Sequence, residues 1–160
     1  MNDLTSSAFV PRLTVMVDYG GAPFLWLVDD EEQAGVGLSI ANGHYQDESS
    51  PLSDGLWQRF ADWAIEFDRT QFYASDFNAD EWDWPAFHAR GRDLTRCLKE
   101  EVGDAYHVIY EKSAEDPDML IDERVEILAD GRWIPWPPHR TLQACARAGV
   151  QAFRNGRWNC

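Results

Sequence analysis

The sequence predicts an α+β fold, a mostly antiparallel sheet with about three helices packed on one face, in a single domain over residues 1–160. Three observations carry that expectation. Apolar and polar residues alternate in short runs within residues 12–40 and 106–136, the period of half-buried strands. Between those runs, residues 51–68 and 83–101 change to the spacing of a helix face. Gly20-Gly21, Asn42-Gly43 and Asp130-Gly131 stand between the strand-like runs, where tight turns require such residues.

The elements follow in order. Leu13, Val15 and Val17 alternate with Thr14, Met16 and Asp18, and Phe24 to Val28 answer them across Gly20-Gly21 and Pro23 as a hairpin. Val36 to Ile40 reads as a third strand, closed by Asn42-Gly43. In the first helix Leu56, Phe60, Trp63, Ala64 and Phe67 share one face, with Ser50-Pro51 or Ser53-Asp54 placed to cap it. Asp83 stands as the N-cap of the second helix, Trp84-Pro85 fill its first turn, and Trp84, Phe87, Gly91, Leu94, Leu98 and Val102 form its buried stripe. Gly91 on that stripe allows another element to approach closely. Tyr106 to Lys112 has strand composition, and Glu123–Leu128 with Arg132–Trp136 forms a second hairpin around Ala129-Asp130-Gly131. Leu142, Cys145, Gly149 and Phe153 mark a last helix, closed near Asn155-Gly156.

Composition narrows function. Eight tryptophans are incompatible with bulk disorder. No apolar run approaches the roughly 20 residues of a membrane span, and the first residues carry no export pattern, so a cytoplasmic protein with no membrane partner is expected. The net charge is −14, unevenly distributed. Residues 1–83 hold sixteen acids against three bases, whereas Arg132, Arg140, Arg147, Arg154 and Arg157 follow the last acid, Asp130. A field of that sign repels phosphates, so nucleic acid is not expected as a partner, and it draws in basic proteins. Acidic surfaces also serve solubility alone.

Motifs of chemistry are missing from the sequence. Cys97, Cys145 and Cys160 are odd in number and unpaired in pattern, against a disulfide framework or a zinc clip. His44, His88, His107 and His139 stand far apart, and Asp116-Pro117-Asp118 lacks the remaining ligands of a calcium loop, so no metal or cofactor is expected. No phosphate-cradling or nucleophile-elbow motif occurs. A catalytic pair of Cys97 with His107 stays open at this level, whereas His88 and Cys97, nine residues apart on one helix, would lie about 13 Å apart, too far to act together. No catalytic residue is assigned.

The stretch Ser75–Gly91, S-D-F-N-A-D-E-W-D-W-P-A-F-H-A-R-G, interleaves carboxylates and aromatics. The second helix absorbs its later half, leaving Asp76, Asp80, Glu81 and Trp82 on the preceding loop. Together with the acidic run Asp29, Asp30, Glu31 and Glu32 they form the candidate partner surface, with carboxylates around an aromatic anchor, provided the two loops share a face.

Residues 56–112 (an aromatic-rich helix, a tryptophan-containing loop, a helix ending L-K-E-E-V-G and a V-x-Y strand) resemble small bacterial immunity proteins encoded beside polymorphic or contact-dependent growth-inhibition toxins. That resemblance implies a non-catalytic cytoplasmic protein that binds one cognate, basic toxin domain, commonly a nuclease, and occludes its active site or substrate groove. It transfers no individual residues. Two other readings stay open at this level: an adaptor or structural domain without a toxin partner, and an enzyme whose site is assembled from distant residues. An enzyme would require a deep pocket with perturbed titratable groups, a histidine among them.

Overall fold

The computed structural model describes residues 9–33, 35–70, 78, 81–118 and 123–136. Strands β1 (Arg12–Val15), β2 (Pro23–Val28) and β3 (Leu38–Asn42) form one antiparallel meander, and β4 (His107–Glu111), β5 (Arg124–Ile127) and β6 (Trp133–Pro135) form another. Helices α1 (Asp54–Asp68) and α2 (Trp84–Val102) connect the two. The sheet order is β3-β2-β1-β4-β5-β6, and the meanders meet in a parallel seam where Leu13 faces Val108 and Val15 faces Tyr110. A six-stranded, mostly antiparallel sheet with α+β organisation is therefore present. The described residues hold two α-helices, not about three, and the helix expected over residues 142–153 lies outside them.

Local chemistry sets the boundaries. The Ser53 hydroxyl accepts from the Leu56 amide at the start of α1, and the Asp83 carboxylate accepts from the Ala86 amide at the start of α2. Gly103, with φ of +57°, ends α2 in a conformation that costs a residue with a side chain far more. The third strand starts two residues later than its apolar run. Gly37 has φ of +88°, and a Cβ there would stand 2.0 Å from the Leu27 carbonyl oxygen, so the chain presses on β2 before pairing begins. Its turn uses Asn42, whose Oδ1 accepts from the amides of His44 and Tyr45.

The core lies between the sheet and the two helices. Leu13, Val15, Leu25, Val108, Tyr110 and Ile127 supply the sheet side. Leu56, Phe60, Trp63 and Phe67 of α1, with Trp84, Phe87, Leu94 and Leu98 of α2, supply the other. Aromatic rings join them: Phe24 stacks on Phe60 at 5.1 Å, and Trp63 on Phe87 at 4.8 Å. Each such buried side chain contributes about 1.5–3 kcal/mol by leaving water. Gly91 is the point of closest approach, since a Cβ there would lie 2.5 Å from the Trp63 ring and 2.7 Å from Tyr110.

Candidate functional site

The strand register decides whether the two acidic loops can meet. Asp29 to Glu32 follow β2, whose last residue, Val28, pairs with Arg12, which in turn pairs with His107 at the start of β4. All four acids are exposed, and the Asp30 carboxylate accepts from the Glu32 amide at 2.9 Å. Helix α2 runs antiparallel to β4, because Lys99 near its end donates to the Tyr106 carbonyl while Gly91 and His88 touch Tyr110. Its start therefore lies past the other end of the seam, and its 19 residues span about 28 Å. Asp29–Glu32 and Glu81–Trp82 accordingly stand at opposite ends of the sheet and form no common cluster.

The residues of the second loop also differ from one another. Glu81 is exposed. Trp82 is half-buried against the core, edge-on to Phe87 at 6.0 Å and to Trp84 at 6.4 Å, so much of its apolar surface is already occupied. Asp76 and Asp80 lie outside the described residues.

A polar cluster that the sequence reading did not single out lies under the first turns of α2. His88 is 5% exposed; its Nδ1 is 2.6 Å from Tyr110 Oη and its Nε2 is 2.9 Å from Asp116 Oδ2. The Trp84 indole stacks over the imidazole at 5.6 Å. Burial holds the imidazole below its ordinary pKa against the opposing bond to Asp116, and burial raises the Tyr110 phenol. A neutral imidazole beside a protonated phenol fixes the tautomer: the Tyr110 hydroxyl donates to Nδ1, and Nε2–H donates to the Asp116 carboxylate. The cluster borders a hollow of about 280 Å³ lined by Trp84, His88, Arg92, Lys112, Asp116 and Asp118.

This hollow tests the enzymatic reading. It holds a perturbed histidine, as that reading requires, but both ring nitrogens are engaged and Tyr110 is 1% exposed. No lone pair or proton of His88 is left for a substrate in this arrangement. The cluster instead ties the segment after β4 onto α2. Among the described residues, no group of three or more His, Cys, Asp or Glu side chains is placed to hold a metal. Cys97 is partly buried on α2, with an Arg59 nitrogen 3.7 Å from its sulfur, while Cys145 and Cys160 lie outside the described residues. No helix among the described residues is long and apolar enough to cross a membrane.

Fold and surface thus define an α+β domain with acids exposed at two ends and, among the described residues, a buried histidine cluster whose two ring nitrogens are engaged internally. The family described as Serratia CdiI immunity protein-like matches residues 11–113, more than half of the chain, and the protein belongs to that family. The match takes in β1 to β4 and both helices, so the resemblance seen over residues 56–112 extends back through the first meander. No curated protein and no solved structure matches the chain.

Proposed function

We propose that the protein is a non-catalytic, cytoplasmic immunity protein that neutralises the basic domain of a cognate growth-inhibition toxin, a nuclease, by covering its active site or substrate groove. Membership of the immunity family carries this reading. The net charge of −14 supports it, because such a field accelerates encounter with a basic domain and repels the nucleic acid on which a nuclease acts.

The proposed contact surface keeps both acidic stretches but uses them separately. Asp29, Asp30, Glu31 and Glu32 engage the toxin at one end and Glu81 at the other, and Asp76, Asp80 and Trp82 complete the proposed set of contact residues. A standard interface covers about 800 Å² per partner, a patch close to 30 Å across. One toxin domain lying along α1 and α2 therefore reaches both ends.

The test is co-expression with the product of the adjacent gene, followed by affinity purification at low and moderate salt and by a growth assay. Stoichiometric recovery of a basic protein, together with rescue of growth, is the expected result. Growth arrest that this protein does not relieve, with no complex at either salt, overturns the proposal.

A further inference from the structure

Strand β3 stands at one margin of the sheet, and among the described residues no further strand lies along its outer side. The chain's own return closes part of that edge. The Asp47 amide donates to the Ile40 carbonyl at 2.8 Å, and the Asn42 amide donates to the Tyr45 carbonyl at 2.8 Å. Leu38 and Ser39 precede this cover and are exposed. Leu38 is 69% exposed and Tyr45, on the return, 58%, more than any other large hydrophobic side chain among the described residues. Tyr45 stands opposite Asn42, four residues along β3 from Leu38, so the two mark points about 13 Å apart on one edge. One exposed leucine needs no explanation, but two large apolar residues on one uncovered edge form a surface.

The charge around that edge has one sign. Residues 29–54 hold seven acids, Asp29 to Glu32, Asp47, Glu48 and Asp54, and neither lysine nor arginine. All seven are exposed. Leu38 pairs with Leu27, so it stands beside the base of the loop that opens with Asp29. At the other end, bonds from the Ser49 amide and hydroxyl and from the Tyr45 hydroxyl hold the Asp47 carboxyl below its ordinary pKa. Asp54 Oδ1 accepts from Gln46 Nε2 at 3.3 Å. Between the return and the first turns of α1 lies a hollow of about 360 Å³, lined by Tyr45, Asp54 and Trp57 among others. The Trp57 indole is held there by donating to the Asn42 carbonyl at 3.2 Å.

We propose, resting on the immunity reading above, that this edge anchors the toxin's basic domain: an apolar side chain of the toxin packs on Leu38, and one arginine or lysine enters the hollow with its stem on Tyr45 and Trp57 and its charge at Asp54. Aromatic faces beside a carboxylate suit a cation carried on an apolar stem. Seven acids without a base admit a basic partner and repel an acidic one. A second copy of this chain is the weaker occupant, because a symmetric edge-to-edge contact brings two such sets of carboxylates together. The apolar anchor therefore sits at the Asp29–Glu32 end of the molecule, since much of Trp82 is already occupied by Phe87 and Trp84.

The test uses the full chain, with the product of the adjacent gene as the probe. Association and dissociation rates are measured by surface plasmon resonance for the native protein, Leu38→Ala, Tyr45→Ala and Asp54→Asn, with circular dichroism and melting temperatures alongside. Leu38→Ala and Tyr45→Ala should each raise the dissociation rate at least about tenfold, as loss of an interface anchor does. Asp54→Asn should raise it about threefold, as loss of one partly exposed ion pair does. Melting temperatures should stay native, because all three side chains are exposed. An unchanged dissociation rate in any of the three, in a variant that folds as native, overturns the proposal and leaves the immunity reading standing. Failure of the native protein to bind the probe and to protect growth overturns both. If Tyr45→Ala loses its native circular dichroism, Leu38→Ala, which lies outside the turn, decides. Sedimentation of the free protein completes the test: dimers that Leu38→Ala abolishes would assign the edge to a second copy and also overturn the proposal.

Discussion

His88 and Asp116, on α2 and on the segment after β4, meet with Nε2 2.9 Å from Oδ2, and both are at least nine-tenths buried. The contact ties a polar segment to the helix, and its removal leaves a buried partner unpaired. Asp116→Ala is expected to destabilise the fold by about 1–3 kcal/mol, the usual cost of orphaning a buried hydrogen-bonding group. Urea denaturation checks this, and His88→Gln should lose part of the same energy, so that the double variant is less than additive.

The same pair gives stability a pH dependence of definite sign. Burial, the largest cause, depresses the His88 pKa, so the unfolded chain takes up a proton at higher pH than the folded one. Stability is therefore complete above about pH 6.5, the ordinary value for histidine, and falls as pH drops below it toward the folded value. Urea midpoints measured across this range should decline toward acid, and His88→Gln should reduce the slope. A slope unchanged in that variant would assign the effect to other groups.

Two glycines in helices should respond oppositely to alanine. Gly91→Ala puts a Cβ within 2.5 Å of the Trp63 ring, and overpacking of that kind costs about 1–3 kcal/mol despite a better helix propensity. Gly55, near the start of α1, has open space around its Cβ position, so Gly55→Ala should gain up to about 1 kcal/mol. Paired thermal melts of the two variants report both signs.

Charge reversal separates steering from folding. Asp29→Lys with Glu31→Lys, or Asp80→Lys with Glu81→Lys, should slow association with the toxin and weaken the salt dependence of its rate. Folding stability of the Asp29/Glu31 variant should move by no more than about 0.5 kcal/mol, because both acids are exposed. Trp82→Ala should behave differently, because the indole packs on Phe87 and Trp84: it lowers the melting temperature first. Stopped-flow association together with thermal melts distinguishes the two classes.

Much of this fold was written in local sequence. The hydroxyl and carboxylate caps at Ser53 and Asp83, the glycine-bearing turns and the two helical stripes depend on neighbours within a few residues, and each lies where its spacing put it. The parallel seam between β1 and β4 was not legible, because no local pattern states which strands become neighbours after two helices. The same limit applies to the acidic loops, whose separation follows from the register at Val28, Arg12 and His107 and from the direction of α2. His88 left a signal that could have been read. It falls four residues after Trp84 and three before Gly91, on the buried stripe, where a polar side chain must find a partner. Its partners, Tyr110 and Asp116, lie 22 and 28 residues further on, beyond any local rule.

The parallel seam also governs when protection can begin. It joins Arg12 to His107, so the first meander has no neighbour on its β1 side until the second has been synthesised. Ribosomes add about 5–20 residues per second, which places the first meander outside the ribosome several seconds before the strand that completes it. Contacts so distant in sequence also slow the folding search itself. A cell newly making this protein therefore carries a short interval in which the chain exists and its finished sheet does not, and a standing pool made in advance covers that interval.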